Sequence, residues 1–311
     1  MSKASRRRLS SSPSFRRLQA DSSSNGISLA EYLSRELSLT LDEASDLIDF
    51  GAVQVGGRQE RNPATHLTGF SEIRVYRPWG GPCRHYEIDP ARILYRDRHL
   101  LAYDKEHGIP SQQTPSDGYN NLFAALQRYL AAEARMDAYV ALHHRLDRET
   151  GGIILFSLDR EANRQLGNAF QHRRVQKDYL AWVSGNPQED QWISLEDIGR
   201  KEGRYCTLPP GEGKTARTIF TVLWRETQRT LVWARPMTGR THQIRLHLAA
   251  RGIPVLGDRT YGNGQGERLY LYSHRMTLPH PVTRSELRLI APLPSDWRVP
   301  FPISLPDDTK L

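Results

Sequence analysis

The chain has 311 residues, more than one domain usually contains, and its 38% hydrophobic and 9% aromatic content excludes a wholly disordered protein. The 43 Lys and Arg residues against 35 Asp and Glu give a net charge of +8, which attracts polyanions and makes nucleic acid the favoured partner. Two distant cysteines, Cys83 and Cys206, give no disulfide framework and no paired-cysteine metal site, and no apolar run could span a membrane, so we expect a cytoplasmic protein.

The first 26 residues are rich in Ser and Arg and nearly free of large apolar side chains. Such a composition buries too little apolar surface to offset the entropy lost on ordering the chain. We therefore expect a mobile basic tail over residues 1–26, which either lies on RNA phosphates or serves only as a linker.

Two helices followed by two strands are predicted after this tail. Residues 28–31 and 40–43 each have a hydroxyl side chain at the N-cap and Glu three positions later, which is the capping-box pattern of a helix start. Gly51 is placed to end the second helix. The runs 53–55 and 73–76 alternate apolar and polar residues as strands do.

Over residues 27–78, this order resembles the S4 RNA-binding domain. The second helix of that domain leads into a Gly-x-Val-x-Val turn, which stands here at residues 51–55. Gly56-Gly57 replaces the usual Asn-Gly, and residues 69–70 read Gly-Phe where the family has Gly-Asp. The resemblance implies a small RNA-binding module, followed by a Pro- and Gly-containing linker at residues 79–89.

A larger domain is predicted over residues 90–300, with residues 301–311 as a tail. Strand patterns occur at 93–95, 99–104, 153–156, 179–183, 219–224, 231–234, 269–273 and 287–290, and helical patterns at 122–130, before 170 and at 243–250. Strands outnumber helices and several adjoin as hairpins. We therefore expect an α+β fold with a mixed, mostly antiparallel sheet flanked by helices.

One carboxylate stands among cations where residues 144–148 read His-Arg-Leu-Asp-Arg, before a Gly-Gly pair and an apolar strand. Arg145 and Arg148 favour the ionised form of Asp147, which suits a nucleophile better than a proton donor. The plainer alternative is that Asp147 only accepts backbone hydrogen bonds within its own turn.

Two later segments complete a pattern with this turn: Lys-Asp-Tyr at residues 177–179 and Gly-Arg-Thr-His-Gln-Ile-Arg at residues 239–245. In this order the three segments resemble the RluA family of pseudouridine synthases, whose boxes run His-Arg-Leu-Asp-x-x-Thr-Ser-Gly, Lys-x-Tyr and Gly-Arg-Thr-His-Gln-Ile-Arg. The resemblance covers residues 90–298 and includes the Leu-Gly-Asp run at 256–258. Gly151 stands where the family has Ser, and Glu106 where it has Pro.

The resemblance implies that uridine in structured RNA is isomerised to pseudouridine without a cofactor. Asp147 would attack a flipped-out nucleotide, at C1′ of the sugar or at C6 of the base. Arg245 would pair with Asp147 through a two-point fork. Tyr179 would stack on the uracil, with proton abstraction as the less favoured role because a phenol is a weak base at neutral pH.

The remaining candidate residues would bind the RNA. Arg145 and Arg240 are expected to contact phosphates or to fill the gap left by the flipped base, and Thr241 to cap the helix that carries Arg245. The predicted RNA-binding residues are His144, Arg145, Lys177, Arg240, Thr241, His242 and Gln243. No metal site is predicted, because the histidines lack a metal-binding spacing.

A non-catalytic RNA-binding protein on the same scaffold is the main alternative from another class. The presence of Asp147, Tyr179 and Arg245 together disfavours it. An S4-like module beside such a catalytic domain favours ribosomal RNA as the substrate, with a transfer-RNA-directed synthase as the second alternative. We expect a monomer that does not contact membranes.

Overall fold

The computed structural model describes residues 15–76, 85–114, 120–134, 139–264, 266–299 and 303. The chain divides into two compact units, Met1–Glu87 with Gln112–Ala125, and Ile88–Ser111 with Leu126–Leu311. Within the described ranges, no helix is both long and apolar enough to cross a membrane.

The first unit packs two helices on a small antiparallel sheet. Its elements are β1 (Phe15–Gln19), α1 (Leu29–Leu37), α2 (Leu41–Asp49), β2 (Val53–Val55), β3 (Arg58–Glu60) and β4 (Glu72–Tyr76). The strands lie in the order β1, β4, β2, β3. Side chains from both helices and the sheet form one apolar core, which includes Leu29, Leu33, Ile48, Val53 and Ile73.

The helix boundaries of this unit follow the predicted signals. The hydroxyls of Ser28 and Thr40 each accept a hydrogen bond from the backbone three residues later, and the carboxylates of Glu31 and Glu43 accept one in return. Gly51 follows α2 with φ +81°, a conformation that glycine adopts without strain. Both capping boxes and the glycine stop are therefore confirmed.

The predicted mobile tail is wrong for its second half. Phe15–Gln19 pairs antiparallel with β4, and Ser22–Ser24 form a short 3-10 helix capped by Asp21. Ala20 is fully buried in the core, and Leu18 packs against it. The partner strand lies far along the chain, so local composition could not reveal this pairing. Residues 1–14 of the predicted tail lie outside the described residues.

The domain boundaries also differ from the predicted ones. Residues Gln112–Ala125 group with the first unit, although they lie within the range predicted for the second domain; there the Gln113 amide donates to Gln59 at 2.7 Å. Of the predicted linker, residues 79–84 lie outside the described residues and 85–89 are irregular. In the predicted C-terminal tail, Ile303 packs against the core of the second unit.

The second unit is built on a large sheet. Its strands are β5 (Ile93–Arg96), β6 (Leu100–Lys105), β7 (Ala141–Leu142), β8 (Gly151–Ser157), β9 (Gln176–Ser184), β10 (Gln191–Ser194), β11 (Asp197–Lys201), β12 (Arg204–Leu208), β13 (Thr218–Arg225), β14 (Arg229–Pro236), β15 (Leu271–Pro279) and β16 (Glu286–Ile290). The helices are α3 (Leu122–Ala134), which spans the boundary between the units, α4 (Arg160–Gln171) and α5 (Gln243–Ala250).

The sheet runs in the order β10, β13, β14, β9, β15, β8, β6, β5, with β16 beside β15 and β7 beside β8. In the described part of the chain, its strand pairs are antiparallel except for β15 with β8, which is parallel. The α+β fold with a mixed, mostly antiparallel sheet is therefore confirmed. The hairpin of β11 and β12, which forms a separate two-stranded sheet, was not predicted.

The centre of this sheet holds the main core. Every residue of β8 is buried, as expected for an apolar run covered on both faces. Helix α4 contributes Leu166 and Ala169 from one face, while Asp159 caps its start through the Ala162 N–H. The other large core residues include Leu100, Trp182, Trp233, Met276 and Trp297.

His144 belongs to this core region and not to an RNA-facing surface. Its Nε2 accepts the Leu155 N–H at 3.1 Å, and its ring stacks on Phe170 with centroids 5.3 Å apart. Burial lowers the pKa of His144 to about 3, so the ring is neutral at physiological pH. The prediction that His144 binds RNA is corrected, because its acceptor nitrogen is used within the protein, where it binds Leu155 in the second half of β8.

Gly152 generates the first testable prediction. It has φ +105°, and a Cβ there would lie 2.2 Å from the backbone oxygen of Ser273 in β15. Gly152→Ala should lower the free energy of unfolding by at least about 3 kcal/mol, since the backbone must shift and a side chain is strained at this φ. The measurement is chemical denaturation. Gly167→Ala in α4, where the space is open, is the control and should stabilise by up to about 1 kcal/mol; equal effects would contradict the account.

His144 predicts a specific acid sensitivity. Its folded pKa of about 3 lies below the ordinary value of 6.5, so between these values the unfolded chain binds the extra proton and stability falls as pH falls. The free energy of unfolding of the wild type should drop by roughly 2 kcal/mol more than that of His144→Gln between pH 6.5 and 4.5. Denaturation across this range measures the slope. The exposed His172→Gln should keep the wild-type slope, and a parallel slope for His144→Gln would refute the assignment.

Candidate active site

Asp147 lies in a turn between β7 and β8 that is fixed on both sides of it. The Thr150 N–H donates to the Asp147 carbonyl at 3.0 Å, which closes the turn. On the near side, the Ser111 hydroxyl donates to the Leu146 carbonyl at 2.8 Å and accepts the Leu146 N–H at 3.0 Å. These contacts use the backbone around Asp147 and leave its carboxylate free for other partners.

Lys105 fixes the far side of this turn. Its buried ammonium donates to the carbonyls of Glu106 at 2.8 Å, Ile109 at 2.8 Å and Arg148 at 3.0 Å. Burial lowers the pKa of Lys105 to about 7. Sequence reasoning missed this role. A lysine at the end of a mostly apolar strand, directly after Asp104, was the available signal.

The Asp147 carboxylate makes its contacts with a distant helix. Its Oδ2 accepts Nη1 of Arg245 at 3.2 Å and lies 3.8 Å from Nε2 of His242. Among the described residues, neither carboxylate oxygen accepts a backbone N–H of the turn, and Oδ1 has no hydrogen bond. The side chain is 27% exposed. The alternative that Asp147 only stabilises its own turn therefore does not fit this geometry.

Arg245 pairs with Asp147, as expected, but its two-point fork goes elsewhere. Nε and Nη2 donate to the two oxygens of Asp258 at 2.7 and 2.8 Å. Burial lowers the pKa of Arg245, but the negative charges of Asp258 and Asp147 raise it above its usual value. Burial likewise raises the pKa of Asp258, and Arg245 lowers it below the usual range. Arg245 and Asp258 are thus held in their charged forms by each other.

Helix α5 carries Arg245 and begins in an unexpected way. Its N-cap is His242, which has the left-handed conformation with φ 57° and no side-chain capping bond. Thr241 is exposed and does not cap the helix, so that prediction is wrong. Gly252 follows the helix with φ +78° and donates its N–H to the Ala249 carbonyl, as a helix-ending glycine does.

Gln243 is buried, and all of its amide is used within the protein. Its oxygen accepts the Thr238 hydroxyl at 2.7 Å and the Arg240 N–H at 3.0 Å. Its nitrogen donates to the Arg217 carbonyl and the Thr218 hydroxyl, both at 2.9 Å. The prediction that Gln243 contacts RNA is corrected, because an amide has two acceptor and two donor positions and all are taken. Gln243 instead holds the loop that precedes α5.

His242, which lies beside Asp147, packs against two further aromatic rings. His242 donates to or accepts from the Tyr261 hydroxyl through Nδ1 at 2.6 Å. Its ring meets Tyr261 and Tyr205 edge-on, with centroids 5.5 and 5.8 Å away. Burial is the main cause that lowers the pKa of His242, and the negative charge of Asp147 opposes this shift. Tyr205 on β12 was missed, because it stands in no segment that carried the family resemblance. Tyr261 belongs to a run that supported the resemblance but was not among the predicted site residues.

Tyr179 is buried on β9, and the charge of Asp147 acts on its hydroxyl. Burial is the main cause that raises the pKa of Tyr179 well above its ordinary value, and the negative charges of Asp147 and Asp178 raise it further. Asp178 is itself fully buried, between Nε of Arg235 at 2.7 Å and Nε of Arg275 at 2.6 Å. This triad of charged side chains fixes the strand at the position next to Tyr179. Because its pKa is raised, the Tyr179 phenol is neutral at physiological pH.

The remaining predicted residues are cations near the site. Arg145 is exposed, as a phosphate contact requires. Arg240 is half-buried and donates from Nε to the Thr215 carbonyl at 3.0 Å. The Lys177 ammonium lies 5.9 Å from the centre of the Phe170 ring, and burial lowers its pKa. In the part of the chain that is described, no group of three or more His, Cys, Asp or Glu side chains could hold a metal ion.

The family described as RNA pseudouridylate synthase matches residues 99–250. Ribosomal large subunit pseudouridine synthase C of Vibrio cholerae is 34% identical over 262 residues, which cover 81% of this chain and 76% of that protein. The Escherichia coli K12 protein of the same name is 32% identical over 268 residues with the same shares. For the Vibrio vulnificus protein, identity is 34% and the chain spans 65% of its length.

Two solved human structures share their fold with about two thirds of this chain. RNA Pseudouridylate Synthase Domain Containing 4 superposes with a TM-score of 0.55 at 24% identity, covering 67% of this chain and 90% of that one. RNA Pseudouridylate Synthase Domain Containing 1 gives 0.53 at 26% identity, covering 67% and 87%. The family match and the bacterial relatives confirm the predicted family: the chain belongs to the RNA pseudouridylate synthases.

Proposed function

We propose that this protein isomerises specific uridines of ribosomal RNA to pseudouridine, with Asp147 as the nucleophile on a flipped-out nucleotide. The names of the bacterial relatives, ribosomal large subunit pseudouridine synthases, support the substrate class. One observation carries the catalytic part: Asp147 is ionically paired through Oδ2, while Oδ1 accepts no hydrogen bond within the described residues.

The ion pair at Oδ2 and the unbonded Oδ1 both favour a role of Asp147 as a nucleophile. The Arg245 contact holds the carboxylate in one orientation, and an oxygen without a donor has a lone pair available for attack. The reaction conserves its atoms: the N1–C1′ bond breaks, C5 bonds to C1′, the C5 proton leaves and N1 gains one. Attack at C1′ or at C6 uses the same free oxygen.

The other side chains have proposed roles that follow from their surroundings. Flipping a base costs a few kcal/mol, which contacts in the pocket must offset. Tyr179 is assigned stacking on the uracil, because its raised pKa disfavours the phenolate that proton abstraction would need. Arg145, Lys177, Arg240, Thr241 and His242 are assigned contacts with the RNA around the target nucleotide.

The first unit is proposed to be an S4-like RNA-binding module. It contains the two predicted helices followed by the two predicted strands, with β1 and β3 in addition. It presents the exposed cations Arg16, Arg35 and Arg58. Phosphate contacts from such residues release counterions and add affinity that depends on salt. With ribosomal RNA as substrate, we expect the protein to act in the cytoplasm, as a monomer.

Asp147→Asn should abolish isomerisation, because the amide oxygen is a poor nucleophile. The measurement is tritium release from ribosomal RNA that carries 5-tritiated uridine, with RNA affinity measured separately. We expect turnover to fall by at least about a thousandfold and affinity to stay within twofold. The exposed Asp190→Asn is the matched control and should keep full activity. Turnover by the Asp147 variant, or normal activity on transfer RNA alone, would contradict the proposal.

The first unit should contribute salt-dependent affinity. Replacing Arg16, Arg35 and Arg58 together by Gln should weaken RNA binding about tenfold or more at low salt and reduce the slope of log affinity against log salt by roughly two to three. Binding titrations at several salt concentrations give both values. Arg164, Arg284 and Arg288 of the second unit, changed to Gln, serve as the control set. The same slope for both triple variants would mean that the first unit does not bind RNA.

A further inference from the structure

Arg245 is shared unequally between two carboxylates. Its Nε and Nη2, the pair with the geometry of a fork, both donate to Asp258. Only Nη1 reaches Asp147, at the longer distance of 3.2 Å. A guanidinium that faced Asp147 with its fork would engage both carboxylate oxygens and leave none free.

Asp258 is fixed independently of the arginine. Its Oδ1 also accepts the backbone N–H groups of Thr260 at 2.9 Å and Tyr261 at 3.0 Å. The turn before it requires glycine, since Gly257 has φ +78° and a Cβ there would lie 1.7 Å from the Arg268 carbonyl oxygen. Asp258 is therefore a preset acceptor, and the guanidinium aligns with it.

The Tyr261 ring supports the same orientation. Its centre lies 5.0 Å from the guanidinium carbon of Arg245, a cation–π distance. Its hydroxyl forms a hydrogen bond with Nδ1 of His242 at 2.6 Å. The loop after Asp258 thus holds the fork edge and one face of Arg245, so rotation of the guanidinium towards Asp147 requires the loss of several contacts.

We propose that Asp258 is a positioning residue that occupies the fork of Arg245 and so keeps one oxygen of Asp147 available for attack. The inference rests on the proposed function of Asp147. Asp258 also offsets the charge of Arg245, so the guanidinium orients Asp147 without fully neutralising it. If Asp258 only stabilised the fold, its replacement would lower stability but would not change the rate of the reaction through Asp147.

The experiment uses the full-length protein and tritium release from ribosomal RNA. Asp258→Asn keeps the size but loses the charge, so the fork is expected to turn to Asp147. We expect kcat to fall at least thirtyfold while KM and RNA affinity stay within twofold. Asp197→Asn is the matched control, because Asp197 is also buried and accepts two backbone N–H groups, from Gly211 and Gly213; it should lower stability and leave kcat within twofold.

A second change separates positioning from stability. Lysine has no fork, so adding Arg245→Lys to Asp258→Asn should raise kcat at least fivefold above that of Asp258→Asn alone. A double variant whose kcat is equal to or lower than that of the single variant overturns the proposal, as does a single variant with a kcat within threefold of wild type.

If Asp258→Asn does not fold at the assay temperature, Asp258→Glu replaces it. The displaced fork should lower kcat and leave KM unchanged, and a wild-type kcat overturns the proposal. Absence of tritium release by the wild type would instead refute the proposed function.

Discussion

The buried guanidinium of Arg245 requires the turn that carries Asp147, which is distant in the sequence, to meet helix α5 and the loop that follows it. A cation with only 9% of its side chain exposed is stable only when paired and hydrogen-bonded. Asp258 supplies the fork partner and Asp147 the third contact, so the turn after β7, the helix α5 and the loop after it must fold together. The sheet positions these segments, and the charge balance among them fixes which hydrogen bonds each makes.

The surroundings of this network are rigid for identifiable reasons. Lys105 and Ser111 fix the backbone on either side of Asp147, and Gln243 fixes the loop before α5. The Arg235–Asp178–Arg275 triad holds β9 beside Tyr179. These polar groups are satisfied inside the protein, which leaves the partly exposed Asp147 to meet a nucleotide.

Much of the architecture could be predicted from the sequence, because it depends on local signals. The capping boxes at Ser28 and Thr40, the apolar run of β8 and the bounds of α5 each follow from residues within a few positions of one another. Strand β1 could not be predicted, since its stability comes from β4. The β11–β12 hairpin carries no strong apolar alternation and was missed for a similar reason.

In the candidate site, the sequence motifs identified residue types but not the directions of their side chains. The pairing of Asp147 with Arg245 was expected, but the fork on Asp258 depends on a turn whose geometry appears only in three dimensions. His144 and Gln243 stand in the same motifs as Asp147 and Arg245, yet their polar atoms point into the protein. A motif therefore contains both groups that can act on a substrate and groups that hold them in place.

The most direct test of the account is a crystal structure of the Asp147→Asn protein bound to its target ribosomal RNA fragment. The account predicts one uridine out of its helix, stacked on Tyr179, with C1′ or C6 within about 4 Å of the free side-chain oxygen position at residue 147. A bound RNA whose bases all stay stacked, or whose nearest uridine lies on another face of the second unit, would contradict it.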